Sequence, residues 1–192
     1  SICFQLPLFA SDDAAARLYK KAKEYTFMQQ WDAAAQLYEQ LVNDYPGSDH
    51  CDESMFWMGY CAEKSGDHQT AFQAFERVGN EYPESLWRDD ALQHQIQVAE
   101  KLAETPGNTY HTFLREKLTA DNLELRLQSA LALARLGDKS ALPVLKKMQQ
   151  NEAVAMPPES ESLIKSLEQS GTQRLDIENH GGRPIMWKTG HS

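Results

Sequence analysis

The chain has 192 residues, 41% of them hydrophobic, enough to bury a real core as one large domain or two small ones, which excludes disorder throughout. Its 19 basic against 28 acidic residues leave a net charge of −9, which repels nucleic-acid phosphates and argues against a DNA- or RNA-binding role. The charge is uneven: residues 1–104 hold 18 acidic and 8 basic side chains, net −10, whereas residues 105–192 hold 10 acidic and 11 basic, net +1, so the two halves are expected to do different jobs.

The chain opens on SICFQLPLFA, apolar over most of its length, and gives way at SDDAAARLYK to charge and helix formers, with Ala10 at a plausible cleavage edge. The pattern reads as the tail of a secretory signal peptide over residues 1–10, with a mature start near Ser11; the alternative is an ordinary buried N-terminal segment. No run of about 18 apolar residues occurs, so no membrane span is expected. Of the three cysteines, Cys51 and Cys61 lie ten positions apart on one predicted helix, roughly 15 Å along its axis, too far for a disulfide. They read as small buried hydrophobes.

Next comes a near-repetition. NDYPGS at Asn43 to Ser48 and NEYPES at Asn80 to Ser85 share an acidic residue, Tyr-Pro, one free position and Ser, and Pro46 and Pro83 are 37 positions apart. Ala34 and Tyr38 precede the first proline by the same distances as Ala71 and Phe75 precede the second. A small residue followed four positions later by an aromatic lies on one helix face, admits a neighbouring helix and fills the gap beside it. Upstream of each pair runs another amphipathic helix, AARLYKKAKEY and then ESMFWMGYCAEK. TFMQQWD and SGDHQT separate the helices of each pair, with Gly66 past one helix end and Asp67 as N-cap of the next. Each proline ends a helix, and Ser48 and Ser85 are expected to cap the helix that follows.

These residues resemble tetratricopeptide repeats. Leu18, Ala22, Tyr25, Ala34, Tyr38 and Pro46 fill the signature places of one repeat, and Met55, Met58, Gly59, Ala62, Ala71, Phe75 and Pro83 those of the next; Lys21 and Met55 depart from the usual Leu and large aromatic. The three extra residues between prolines resemble the repeats of bacterial cell-envelope proteins of the Tol-Pal and outer-membrane assembly systems, which are exported. A third unit starts in register, with Ser85, Ala91 and Leu92 answering Ser48, Ser54 and Met55, and LWRDDALQHQIQVAEKLAE runs as a long helix to about Glu104.

After TPGNT, with Pro106 and Gly107 as breakers, the character changes. HTFLREKLTADNLELRLQSALALARLGDKSALPVLKKMQQ carries an apolar period through Leu114, Leu118, Leu123, Leu127, Ala130, Leu133 and Leu136; Gly137 ends that helix and Asp138 can cap the next. Residues 105–150 resemble one HEAT repeat, with Asp121 at the inter-helix turn and Arg126 and Ala130 in the second helix. In residues 151–192, AMPPESES is a linker by composition and SESLIKSLEQSG a candidate short helix. TQRLDIENHGGRPIMWKTGHS shows no helical period and is either disordered or a hairpin about Gly181 and Gly182. The expected fold is all-α, a right-handed α-solenoid of antiparallel helical hairpins, tetratricopeptide-like over 11–104 and HEAT-like over 105–150.

Chemistry is scarce. His50, Cys51, Cys61 and His68 have no metal-ligand spacing, and neither a glycine-rich phosphate loop nor a Gly-x-Ser-x-Gly elbow occurs. Asp12-Asp13, Asp52-Glu53 and Asp89-Asp90 fall in first helical turns, where they complement the helix dipole. No metal, cofactor or enzymatic activity is therefore expected. Stacked hairpins instead bind a peptide or partner protein along the inner surface of their first helices. The resemblance implies that Tyr19, Lys23 and Phe27, then Phe56, Tyr60 and Glu63, then Gln93 with Gln97 line that groove, with Phe56 and Tyr60 each alternatively packing on a neighbouring helix and Trp57 reading as core. Acidity in the repeat half fits a basic or polar partner segment, or simply a solvated face. The expected role is an exported, non-enzymatic adaptor, whose setting can be a membrane-associated complex. The alternative is a cytoplasmic structural or regulatory subunit whose main interface is the HEAT-like end.

Overall fold

The computed structural model describes residues 8–104, 109–151 and 154–180, with 8–12 and 171–180 as backbone only. These residues form nine α-helices, one short 3-10 turn and no strand. The helices are α1 (Leu8–Phe27), α2 (Trp31–Asp44), α3 (Cys51–Ser65), α4 (His68–Glu81), α5 (Arg88–Leu102), α6 (Thr109–Lys117), α7 (Leu123–Arg135), α8 (Leu142–Gln149) and α9 (Ser160–His180). From α1 to α8 each helix packs on the next; α7 also reaches back to α5, and α9 closes on α7 and α8. The result is an α-solenoid of hairpins, with one contiguous apolar core running from Ala22 to Leu167.

The small-plus-aromatic pairs build the hairpins. Ala34, Tyr38, Ala71 and Phe75 are all buried, and α3 approaches α4 so closely at Gly59 that an added Cβ would lie 2.8 Å from Cε1 of Phe75. Both α1–α2 and α3–α4 turn through a left-handed residue, Gln29 (φ 57°) in the first hairpin and Gly66 (φ 88°) in the second, 37 positions later. Glycine adopts this conformation without a Cβ penalty and glutamine does not. Asp67 then caps α4, its carboxylate accepting from the Thr70 N–H at 3.1 Å.

The two Tyr-Pro phrases fold alike. Tyr45 and Tyr82 donate their N–H back to Leu41 and Val78, and Ser48 and Ser85 donate theirs to the carbonyls of Tyr45 and Tyr82. The serine hydroxyls do not cap the following helix as expected. They accept from the N–H two residues on, His50 at 3.3 Å and Trp87 at 3.1 Å, and those residues are the N-caps of α3 and α5. The hydroxyl thus closes a local turn before the helix starts. Ser85 also donates to Asp52 at 2.6 Å, tying the end of α4 to the start of α3.

Beyond α5 the array continues without a gap. Phe72 of α4 meets the rings of Tyr110 and Phe113 on α6, at 5.0 and 5.1 Å between centroids. Asn122 caps α7 through the N–H groups of Glu124 and Leu125. Asp138 accepts from the Ser140 N–H, but a 3-10 turn at Lys139–Ala141 intervenes before α8, whose first turn holds Pro143. The tail corrects an expectation: α9 does not stop at Gly171 but runs on to His180, through residues that show no helical period. A helix already formed propagates through a stretch without proline even where it has no apolar face. Gly181 and Gly182 lie outside the described residues, as does most of the segment expected to be a signal-peptide remnant. α1 begins at Leu8, so the boundary expected near Ser11 falls inside its first turn.

Cys51 and Cys61 are free and buried on α3, as the spacing predicts. Burial pushes both thiols above their ordinary range.

Candidate functional site

The first helices of the hairpins, α1, α3 and α5, present one shared surface, and the helical spacing decides what meets there. Tyr19 and Lys23 are one turn apart on α1, and Glu53, Trp57 and Tyr60 follow each other at three or four residues on α3. The Lys23 ammonium lies 3.4 Å from Glu53 Oε1, 4.7 Å from the centroid of the Trp57 ring and 5.5 Å from that of Tyr19. Trp57 Nε1 donates to the same Glu53 oxygen at 3.1 Å, and the Tyr19 ring stacks flat on His50 at 4.5 Å. Burial alone would raise the Glu53 carboxyl, but hydrogen bonds from Tyr19 and Trp57 and the charge of Lys23 outweigh it and hold the group below the usual carboxylate range. The Tyr19 phenol is pushed up, first by burial and then by the Glu53 carboxylate. Lys23 is thus a cation seated between two rings and a carboxylate, open to solvent on one side, since 42% of its side chain remains exposed.

From Trp57 the rings continue. Tyr60 stands edge-on to Trp57 at 5.3 Å and to Trp31 at 6.2 Å, with the Lys64 ammonium 4.9 Å above its face. Trp57 also meets Trp87, at the N-cap of α5, at 5.8 Å. Tyr19, Trp31, Trp57, Tyr60 and Trp87 are all half-buried, so a row of ring edges and faces runs from α1 to α5.

Of the residues that the sequence placed here, Tyr19, Lys23 and Tyr60 are in the row. Phe56 is 4% exposed and lies beneath it, stacked on Trp87 at 4.6 Å and tilted against Phe75 at 5.8 Å; of the two alternatives, it takes the packing one. Glu63 is buried, and its carboxylate pairs with His94 Nδ1 at 2.7 Å and Lys101 at 3.7 Å, joining α3 to α5. Burial opposes its ionisation, while the His94 hydrogen bond and the charges of His94 and Lys101 lower its pKa. The His94 ring is clasped by Phe75, Phe56 and Tyr60. Gln93 is half-buried and Gln97 exposed, the latter in a shallow cleft with Glu100 and Arg135. Phe27 is 90% exposed at the end of α1, beside Met28 at 63%, and touches none of the rings described.

Sequence reasoning missed Glu53, assigned to the helix dipole, and Trp57, assigned to the core. Their spacing of four, matched by the same spacing of Tyr19 and Lys23 on α1, was the signal that could have found them. Among the described residues no group of three His, Cys, Asp or Glu side chains is placed to hold a metal ion, and no helix is long and apolar enough to cross a membrane.

A solenoid of short hairpins packed neighbour on neighbour is the architecture of a helical-repeat protein. Residues 14–48 and 53–85 each match the family model of the tetratricopeptide repeat, so this chain carries tetratricopeptide repeats over α1–α2 and α3–α4. Repeats of this kind are, in general, non-enzymatic scaffolds for protein–protein interaction. No curated protein matches the chain.

Proposed function

We propose that the protein is a non-enzymatic adaptor that holds a peptide segment of a partner protein along the row formed by Tyr19, Lys23, Trp57, Tyr60 and Trp87. The observation that carries this reading is the row itself. Four half-buried rings and one seated ammonium lie together, with Tyr19 and Lys23 on α1, Trp57 and Tyr60 on α3 and Trp87 at the start of α5, where buried apolar positions would have given stability without any binding surface. Aromatic rings supply desolvated contact area at low entropic cost, and the exposed amide of Gln97 can hydrogen-bond an extended backbone. The proposal extends to setting: the apolar opening residues and the 37-residue spacing support an exported protein of the cell-envelope repeat type, and the Leu136–Leu145 segment supports a HEAT-like continuation through α6–α8.

A photo-crosslinking residue placed at Tyr60 and, separately, at Gln36 on the exposed side of α2 tests the groove in native cells. Capture of one defined protein from position 60 and not from position 36 supports it; equal capture from both refutes it. N-terminal sequencing of the mature protein tests export. A start near Ser11 supports processing, and residues upstream of Ser1 retained in the mature chain overturn it.

A further inference from the structure

A second surface lies far from the ring row. Where the end of α6, the start of α7 and α8 come together, an open cleft of about 280 Å³ is floored by Leu118, Leu123, Val144 and Met148. Leu123 is 43% exposed although it is the first residue of a helix whose other leucines are buried. Among the described residues no helix covers the cleft; α9 closes the other side of α7 and α8 through Ile164 and Leu167. Its lip is basic. Arg126 is held in place by donating from Nε and Nη2 to the carbonyl of Ala120, with 2.8 Å for the former, and Lys147 stands opposite on α8. Neither has a carboxylate partner among the described residues, whereas Arg115 and Arg135, which flank the same part of the array, are both ion-paired. In a protein of net charge −9, two cations that line one apolar floor without a carboxylate partner among the described residues, Arg126 anchored and Lys147 exposed, mark a local reversal of sign.

We infer that this cleft is a second docking site, and that its occupant is an amphipathic acidic segment of a partner protein: apolar side chains on the floor, Asp or Glu side chains facing Arg126 and Lys147. Burial of Leu123 and Val144 supplies the attraction, and the two cations set the sign and orientation of what enters. Nucleic acid also carries negative charge, but its phosphates have nothing to place on an apolar floor and meet net repulsion from the rest of the chain. The site is separate from the ring row, so the adaptor would hold two segments, one at each end of the array.

The test is selection from a random peptide library displayed against the full chain, followed by counter-selection on Val144→Asp/Lys147→Glu, which leaves the ring row intact. Thermal melting of this variant and of Lys147→Glu alone verifies that each is folded. The expected result is a set of sequences lost on counter-selection that place apolar residues at helical spacing beside Asp or Glu. A synthetic peptide of the leading sequence should bind Lys147→Glu about tenfold more weakly than wild type, and lose affinity as salt is raised. The inference is overturned if no selected sequence depends on the cleft, or if the dependent ones are basic or uncharged. Wild-type dimerisation that the Lys147→Glu exchange abolishes would assign the cleft to a second copy of this chain and equally overturn it. Loss of the ring-row reading would leave these outcomes unchanged.

Discussion

Replacing Gly59 by alanine sets two opposed effects against each other at the α3–α4 contact. Alanine is favoured over glycine inside a helix by about 1 kcal/mol. Against that, the new Cβ would lie 2.8 and 3.0 Å from Cε1 and Cδ1 of Phe75 and 3.1 Å from the Cβ of Ala74, all closer than normal van der Waals contact. Phe75 cannot swing away cheaply: it is 1% exposed, with Phe56 and the stacked His94 ring against it. Overpacking of this kind costs typically about 1–3 kcal/mol, so Gly59→Ala should lose about 1 kcal/mol net and lower Tm by about 2–4 °C. Gly79, in α4, supplies the control, because an added Cβ there meets nothing within 4 Å. Gly79→Ala should therefore raise Tm by a similar amount through helix propensity alone. Melts of both variants followed by circular dichroism decide the matter. A Gly59→Ala protein as stable as wild type, or more so, would show that the hairpin can open without penalty and refute the close-approach argument. Shortening the obstacle with Phe75→Leu should make the Gly59→Ala change less costly than it is in wild type, a coupling that a double-mutant cycle measures.

Gln29→Gly should stabilise the first hairpin by up to about 1 kcal/mol, because it relieves a left-handed glutamine at the place where the second hairpin has Gly66; an unchanged denaturation midpoint would contradict this. Lys23→Met should cost about 1 kcal/mol at neutral pH, from a partly exposed ion pair with Glu53 and a contact with the Trp57 ring. Because the folded Glu53 carboxyl is depressed, its share of stability is present above the unfolded carboxylate value and is lost as pH falls through the folded one. The difference between wild type and Lys23→Met should accordingly narrow in acid, leaving the ring contact, and a gap independent of pH in urea titrations would refute the ion-pair share. Glu63→Gln should cost about 1–3 kcal/mol at neutral pH, since it removes a buried charge that His94 and Lys101 face, with the same loss toward acid because Glu63 is likewise depressed. Stability unaltered by that exchange would mean that the α3–α5 junction does not depend on the pair.

How far the sequence reaches is clearest where a residue's role is periodic. Ala34, Tyr38, Ala71 and Phe75 are legible because helix geometry brings every fourth residue to one face, and the same arithmetic places Asp67 and Gly66 at the turn. It fails where the deciding neighbour comes from another helix. Trp57 and Phe56 are adjacent in sequence and similar in chemistry, and both meet Trp87, yet Phe56 is buried against Phe75 while Trp57 stays only half-buried beneath the Lys23 ammonium that α1 brings to it. Glu53 shows the same limit: a carboxylate in a first turn satisfies the dipole argument whether or not a lysine from α1 reaches it. Phe27 fails in the opposite way, occupying an inner-face position by register while α1 ends beneath it and leaves the ring in solvent. The continuation of α9 to His180 had no periodic signal to be found by.

From α1 to α5 each helix packs chiefly on its neighbours in sequence, and this has a consequence for how the molecule comes into being. Contacts between residues close along the chain cost little loop-closure entropy, so each hairpin can form on its own timescale without waiting for distant segments. The α1–α2 and α3–α4 hairpins, joined by turns of a few residues, can pair as soon as about seventy residues are free of the ribosome, at synthesis rates far slower than helix pairing. The ring row, built almost wholly from α1 and α3 with Trp87 arriving last, would then be assembled before α7 and α8 exist, so the two ends of the array are completed in the order in which they are made.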